Sequence, residues 1–147
     1  MFKHILIPVD GSEFSDRAID TGIRFARSIG AKVTGFIAEP EYEVPLSGEF
    51  ISRRAESIGD HREKVNAHAK AVLARIGLRA RAEGVEFASD FIESDVPVDA
   101  IVGAAARHGC DLILMASHGR RGLDRLIHGS TAEGVASHTR VPVLILH

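Results

Sequence analysis

The residues best suited to chemistry lie in one segment rich in glycine and arginine, which runs from Met115 to Glu133. Near its end, Ser130-Thr131-Ala132-Glu133 has the form of a capping box, which predicts that Ser130 caps a helix while Glu133 bonds back to it. The amino terminus of a helix presents unpaired N–H groups and the positive end of the helix dipole, and both favour phosphate. The segment therefore predicts an anion-binding site at the start of a helix.

Glycine and arginine residues earlier in the segment support this prediction. Three glycines allow the backbone to approach a ligand more closely than a Cβ would permit, at Gly119, Gly122 and Gly129. Three arginines add local positive charge to a chain whose formal net charge is −2: Arg120, Arg121 and Arg125. An ordinary loop with turn glycines and solvated arginines is the alternative. Neither Gly-Lys-Ser/Thr nor Gly-x-Gly-x-x-Gly after the first strand occurs, so the conventional P-loop and dinucleotide signatures are absent.

A carboxylate and a histidine are further candidates, because they stand where predicted strands end. Ligands of open α/β sheets bind beyond the carboxyl ends of the strands. Three segments follow predicted strands here: Asp10-Gly11-Ser12, Ala38-Glu39-Pro40 and Ala116-Ser117-His118-Gly119. Asp10 is placed to accept hydrogen bonds from ribose hydroxyls, or else it forms a turn before Gly11. His118 either contacts phosphate or simply occupies the loop.

Other chemistries lack the residues that they need. His61 and His68 share one face of a predicted helix, but no third ligand stands at a metal-site spacing, so a solvated face is favoured. Cys110 has no evident activating partner, which favours an inert thiol at the edge of the core. No Gly-x-Ser-x-Gly elbow indicates a hydrolase, and Asp10 lacks the neighbouring acids and the strand-end lysine of a phospho-accepting receiver domain. We therefore predict no catalytic residue and no metal site.

Length and composition restrict the class of protein. With 147 residues, 45% of them apolar and 26% charged, the chain is expected to fold as a single soluble domain over residues 1–147. No apolar run approaches the ~20 residues of a membrane span, and the charge balance lacks the basicity typical of nucleic-acid binding. A single cysteine rules out an intrachain disulfide, and residues 1–10 contain no signal-peptide core, so a cytoplasmic location is expected.

The elements that must position these residues alternate along the chain. Continuous apolar runs, typical of strands buried on both faces, predict strands at 5–9, 33–38, 85–93, 111–116 and 141–146. Apolar residues at spacings of three and four predict helices at 15–29, 60–83 and 130–139, and a further helix that starts within Ser94–Pro97 and continues until Gly109. Gly77 argues against one unbroken second helix, and residues 39–59 are predicted to form a long loop suited to a lid. The alternation predicts a three-layer α/β/α fold with a five-stranded parallel sheet.

The sequence resembles the universal stress protein family over its full length. The resemblance is carried by Ile5–Ser12, Asp111–Arg120 and Val141–Leu144. Members of that family that bind ATP contain Gly-x2-Gly-x9-Gly-Ser/Thr, and the last three positions of this motif match at Gly119, Gly129 and Ser130. Ala116 replaces the first glycine, and its methyl group would be tolerated at negative φ but strained at positive φ.

The resemblance implies a Rossmann-like fold of the adenine nucleotide alpha hydrolase type, and a stress-response regulatory protein that binds ATP or another adenine nucleotide. Mg²⁺ would be held mainly by the phosphates. Asp10 would lie beside the nucleoside, the backbone of Ile37 would bond to adenine, and the motif residues with Thr131 would hold the phosphates. The implied binding residues are Pro8, Val9, Asp10, Ile37, Ala116, Ser117, His118, Gly119, Arg120, Gly129, Ser130 and Thr131.

The implied protein partner is a second copy of the chain, paired through an edge strand at Val141–Leu146. An apolar edge strand is a liability unless it is paired. Two other functions stay open: a slow enzyme that hydrolyses ATP or transfers its phosphoryl group, and an interaction module that needs no nucleotide because Ala116 has disabled the loop. Neither nucleic acid nor a membrane is expected as a partner.

Overall fold

The computed structural model describes residues 1–10, 13–39, 51–117 and 130–146, and their side chains except at 13–15 and 51–58. Over these residues five strands alternate with four helices, which confirms the predicted element order. The strands are β1 (His4–Pro8), β2 (Lys32–Glu39), β3 (Phe87–Glu93), β4 (Leu112–Ala116) and β5 (Val143–Leu146). The helices are α1 (Glu13–Ile29), α2 (Ile51–Ala82), α3 (Pro97–His108) and α4 (Ser130–His138). Among these helices, none is both long and apolar enough to cross a membrane.

The sheet is parallel throughout, with the strand order β3-β2-β1-β4-β5. Strand β1 is central, since Ile5 is level with Val33 on one side and with Leu112 on the other. The chain first builds outward from β1 through β2 and β3, and then continues on the other side of β1 with β4 and β5. The strand order therefore reverses between β1 and β4. The carboxyl ends of these two strands flank the crevice in which open α/β sheets bind ligands.

Helices cover both faces of the sheet, as predicted for a three-layer fold. Successive side chains of a strand point to opposite faces, so Ile5 and Ile7 enter the cluster beneath α1 and α2, whereas Leu6 enters the cluster beneath α3 and α4. All three side chains are fully buried. Burial on both faces explains why this strand reads as a continuous apolar run rather than as an alternating one.

Helix α2 corrects the loop predicted at residues 39–59. The helix begins at Ile51 and continues without a break to Ala82. Residues 51–58 contain neither glycine nor proline, so their composition does not oppose a helix. The prediction of a loop there was wrong because it extended the breakers found earlier in the segment over residues that lack them. Residues 40–50, and with them the predicted lid, lie outside the described residues.

Gly77, expected to weaken the second helix, lies inside the unbroken α2. The reason is Phe87 on β3, whose ring lies 3.0 Å from the position of a Cβ built at Gly77. The same ring lies 2.9 Å from a Cβ built at Gly35 on β2. The two glycines therefore accommodate an aromatic ring between helix and sheet, and the close packing compensates for the lower helix propensity of Gly77.

Cys110 should be chemically inert in the folded protein. Its side chain is buried between α3 and β4, and burial together with the nearby Asp111 raises the pKa of the thiol to about 11. Because the thiolate is the reactive form, only about one thiol in a thousand is ionised at pH 8. We expect Ellman's reagent to label the chain in concentrated guanidinium but not in the native state. Rapid labelling without denaturant would contradict this expectation.

Candidate functional site

The ends of β1 and β4 form the first part of the candidate site. These strands are parallel neighbours, so their carboxyl ends lie at the same edge of the sheet. Pro8 is the last residue of β1, and Val9 and Asp10 follow it. Ala116 is the last residue of β4, and Ser117 follows it. The structure therefore brings five of the predicted binding residues to the point where the strand order reverses.

The end of β1 is fixed by the neighbouring strand. Pro8 is level with Phe36 of β2, and the N–H of Val9 donates to the carbonyl oxygen of Phe36 at 2.8 Å. The side chain of Val9 is buried, whereas Asp10, the next residue, is partly exposed. The hydrogen bonds between β1 and β2 thus continue one residue beyond β1, and the carboxylate of Asp10 follows at the edge of the sheet.

The end of β4 is fixed in the same way by β5. Ala116 is level with Leu146, and the N–H of Ser117 donates to the carbonyl oxygen of Leu146 at 2.7 Å. Ser117 is buried. Among the described residues no amino acid other than glycine has a positive φ, so Ala116 is not strained. Its methyl group packs against the cluster beneath α1 and α2.

Strand β2 places Ile37 differently from the role that the resemblance implies for it. The carbonyl of Phe36 faces β1, and the carbonyl of Glu39 faces β3, where it accepts a hydrogen bond from the N–H of Ser94 at 2.7 Å. Backbone groups of successive strand residues face opposite neighbours. The N–H and carbonyl of Ile37 therefore face β3, and those of Ala38 face the end of β1. The sequence could not show which of the two residues faces β1, since the facing of each residue depends on a register that the sequence does not specify.

The start of α4 supplies the third part of the site. A right-handed crossover from β4 to β5 places the amino terminus of its helix at the carboxyl edge of the sheet. The helix begins at Ser130, as predicted, and its first turn carries Glu133. Ser130 is exposed and Thr131 partly exposed. Ala132 is buried in the cluster beneath α3 and α4, which anchors this end of the helix.

Four predicted binding residues lie outside the described residues: His118, Gly119, Arg120 and Gly129. Gly122, Arg121 and Arg125 of the same segment also lie outside them. The described part of the site therefore consists of the two strand ends, the edge of β2 and the first turn of α4.

Other parts of the described chain are weaker candidates for a functional site. Within these ranges, no group of three or more His, Cys, Asp or Glu side chains is arranged to hold a metal ion. A pocket of about 400 Å³ lies beside Arg24, Arg27, Ser28 and Glu83, toward the carboxyl-terminal end of α1 and so toward the opposite edge of the sheet. Arg27 and Glu83 form an ion pair of 2.6 Å there, so both charges are already paired.

Comparisons with known proteins agree with this architecture. A profile of the universal stress protein family matches residues 1–147. A universal stress protein of Methanocaldococcus jannaschii is 31% identical over 147 residues, which cover 99% of this chain and 82% of that protein. A solved structure of a second protein from that organism has a TM-score of 0.83 at 27% identity, covering 99% of this chain and 96% of the other. A universal stress protein solved in complex with cAMP has a TM-score of 0.72 at 24% identity, covering 99% and 97%.

Proposed function

The chain belongs to the universal stress protein family, and from this premise we propose that it is a cytoplasmic regulatory protein that binds an adenine nucleotide. The observation that carries the proposal is the meeting of three features at one edge of the sheet. These are the carboxylate of Asp10 after β1, the buried Ser117 after β4, and the amino terminus of α4. A similarly folded member of the family was solved with cAMP, which supports an adenine nucleotide as the ligand class.

Each feature suits one part of a nucleotide. The carboxylate of Asp10 accepts hydrogen bonds from ribose hydroxyls. The N–H and carbonyl of Ala38 face the end of β1, so Ala38 rather than Ile37 is proposed to bond to the base. The amino terminus of α4, at Ser130 and Thr131, offers N–H donors and a positive dipole end to the phosphates.

The same site is proposed to take ATP, with Mg²⁺ held mainly by the phosphates. Two glycines and one arginine of the segment before α4 would complete the phosphate contacts: Gly119, Gly129 and Arg120. His118 and the strand-end residues Pro8, Val9 and Ala116 would line the remainder.

Two measurements test this function. The protein as purified is denatured and its supernatant examined by mass spectrometry for a nucleotide, and the nucleotide-free protein is titrated calorimetrically with ATP and Mg²⁺, ADP, AMP and cAMP. We expect either a co-purified adenine nucleotide or a saturable heat of binding in the micromolar to millimolar range. No nucleotide and no heat for any of the four compounds would overturn the proposal.

The edge strand β5 is proposed to form a homodimer contact. Within the described residues β5 pairs with β4 on one side, and Leu144 on this strand is 38% exposed. An apolar edge that is open on its other side favours association with a second copy through Val141–Leu146. Light scattering at micromolar concentration should give twice the mass of one chain. A monomer, or a dimer that persists after Leu144→Lys, would contradict this contact.

Ala116→Gly should leave nucleotide affinity unchanged within about twofold, because the methyl group packs against the cluster beneath α1 and α2 at an unstrained φ. The same substitution should lower the free energy of unfolding by about 1 kcal/mol, since glycine weakens a strand and the partly buried methyl group is lost. Calorimetry and urea unfolding measure the two effects. Ala88→Gly, on the exposed part of β3, is the matched control for the backbone effect. Binding that tightens tenfold in Ala116→Gly would show instead that the methyl group obstructs the site.

A further inference from the structure

His4 joins three elements at the edge of the sheet opposite the candidate site. Its side chain, at the start of β1, is 7% exposed. The Nε2 atom lies 2.7 Å from Oγ1 of Thr34 on β2, and Thr34 is fully buried. The ring also forms a hydrogen bond with the backbone of His108, the last residue of α3. One imidazole thus connects β1, β2 and the end of α3.

The two protonation states of the ring cannot use these partners equally well. In the neutral ring, one nitrogen donates a hydrogen bond to the carbonyl of His108, and the other accepts a hydrogen bond from the hydroxyl of Thr34. A protonated ring has two donors and no acceptor, so Thr34 must turn its hydroxyl proton away from the ring. Because Thr34 has no access to solvent, no water can accept a hydrogen bond from the turned hydroxyl, and protonation of the ring is therefore unfavourable.

The charges around the ring act on the same equilibrium. Burial lowers the pKa of His4 below its ordinary value of 6.5, and Lys32 on β2 and His108 lower it further. The hydrogen bond to the backbone of His108 and the carboxylate of Asp111, just before β4, both raise this pKa. That carboxylate already accepts the backbone N–H groups of Lys3 and His4, at 2.9 Å each.

His108 itself lies beside a carboxylate and a guanidinium group. The Nε2 atom of His108 lies 2.8 Å from Oδ2 of Asp90 on β3, and the same oxygen accepts a hydrogen bond from Arg107 at 3.0 Å. The carboxylate of Asp90 is therefore directed at His108 and Arg107, and it is not a hydrogen-bond partner of His4. Positive charge on His108 remains close enough to disfavour a second positive charge on His4.

We propose that His4 is a proton-operated latch, whose protonation in mild acid releases the start of β1 from β2. Since β1 lies between β2 and β4, release at its first residue weakens the pairing of the central strand on both sides. The folded protein takes up the proton less readily than the unfolded chain does. Stability is therefore fully present above pH 6.5 and is lost as the pH falls from 6.5 through the lower pKa of the folded state.

The test compares His4→Gln with the matched control His138→Gln. Glutamine offers a donor and an acceptor but does not titrate, and His138 is an exposed histidine whose Nδ1 lies near the carbonyl of Gly134 at the end of α4. Urea unfolding midpoints are measured from pH 7.5 to pH 5. We expect the midpoint of the parent protein to fall on acidification, at least half of this fall to disappear in His4→Gln, and His138→Gln to behave like the parent. An unchanged pH profile in His4→Gln would overturn the proposal.

Two measurements on the unmodified protein decide the matter if His4→Gln does not fold. An NMR titration should give the His4 ring a pKa below 6.5, and a value at or above 6.5 would overturn the latch. Hydrogen exchange should show protection factors that fall in mild acid at the amides of Lys32 and Asp111, which donate to the carbonyls of Lys3 and His4. Acid-independent protection at both amides would also count against it.

Discussion

Ser130→Glu should weaken the binding of ATP by at least about 30-fold while the fold stays intact. Ser130 is exposed at the first residue of α4, where the nucleotide phosphates are proposed to lie. A carboxylate there occupies the helix amino terminus and repels the phosphates, and a like-charge term of about 2 kcal/mol corresponds to that factor at about 1.4 kcal/mol for each tenfold. The same carboxylate interacts favourably with the helix dipole, so the free energy of unfolding should stay the same or rise by up to about 1 kcal/mol.

Ser137→Glu is the matched control, because it places the same charge at the other end of the same helix. Ser137 is exposed in the last turn of α4, where its hydroxyl donates to the carbonyl of Glu133 at 2.9 Å. An acidic side chain near a helix carboxyl terminus is unfavourable, so stability should fall by about 0.3–1 kcal/mol while ATP affinity is retained. Calorimetry and thermal unfolding of both variants give the comparison. Equal ATP affinity in the two variants would mean that the phosphates do not lie at the start of α4.

The strands were predictable because burial on both faces leaves a direct mark on the sequence. Leu6 and Ile7 are consecutive and fully buried, yet they face opposite helical layers. Such neighbours produce the continuous apolar runs from which the parallel sheet was inferred. The start of α4 was predictable from the capping-box form at Ser130, because capping depends on a local spacing of residue types.

The sequence does not show the register of neighbouring strands, so it could not predict which backbone groups face which strand. Ile37 and Ala38 are both strand residues with apolar side chains, and only the hydrogen bonds of Phe36 and Glu39 fix which of them faces β1. A shift of one residue exchanges the facing of every backbone group in a strand. The start of α2 was missed for a different reason, because the glycine and prolines of residues 40–48 were taken to mark a loop that extends over residues 51–58, which contain neither.

Whether a glycine within a helix is required depends on packing contacts that the sequence does not show. Gly22 of α1 and Gly59 of α2 both lie within helices, and both are flanked by residues of ordinary helix propensity. A Cβ built at Gly22 would lie 2.6 Å from Cδ1 of Ile7 and 3.2 Å from Cδ2 of Leu114. A Cβ built at Gly59 would meet no atom of the described residues within 4 Å. The first glycine is required by the contact of α1 with the sheet, and the second is not.

Gly22→Leu should lower the free energy of unfolding by about 2 kcal/mol. Ile7 and Leu114 are fully buried, so neither can move into solvent to admit four additional carbon atoms between α1 and the sheet. The gain in helix propensity, about 1 kcal/mol, is smaller than the cost of overpacking this contact. Urea unfolding measures the difference, and a loss of that size removes a large share of the stability of an ordinary domain.

Gly59→Leu is the control that separates overpacking from the properties of leucine. The same substitution at the exposed Gly59 should raise the free energy of unfolding by up to about 1 kcal/mol, because only helix propensity changes. The double variant Gly22→Leu with Ile7→Ala should be more stable than the sum of the two single losses predicts, since Ile7→Ala removes the atom nearest to the new side chain. If Gly22→Leu and Gly59→Leu instead change stability by the same amount, α1 does not contact the sheet at Gly22.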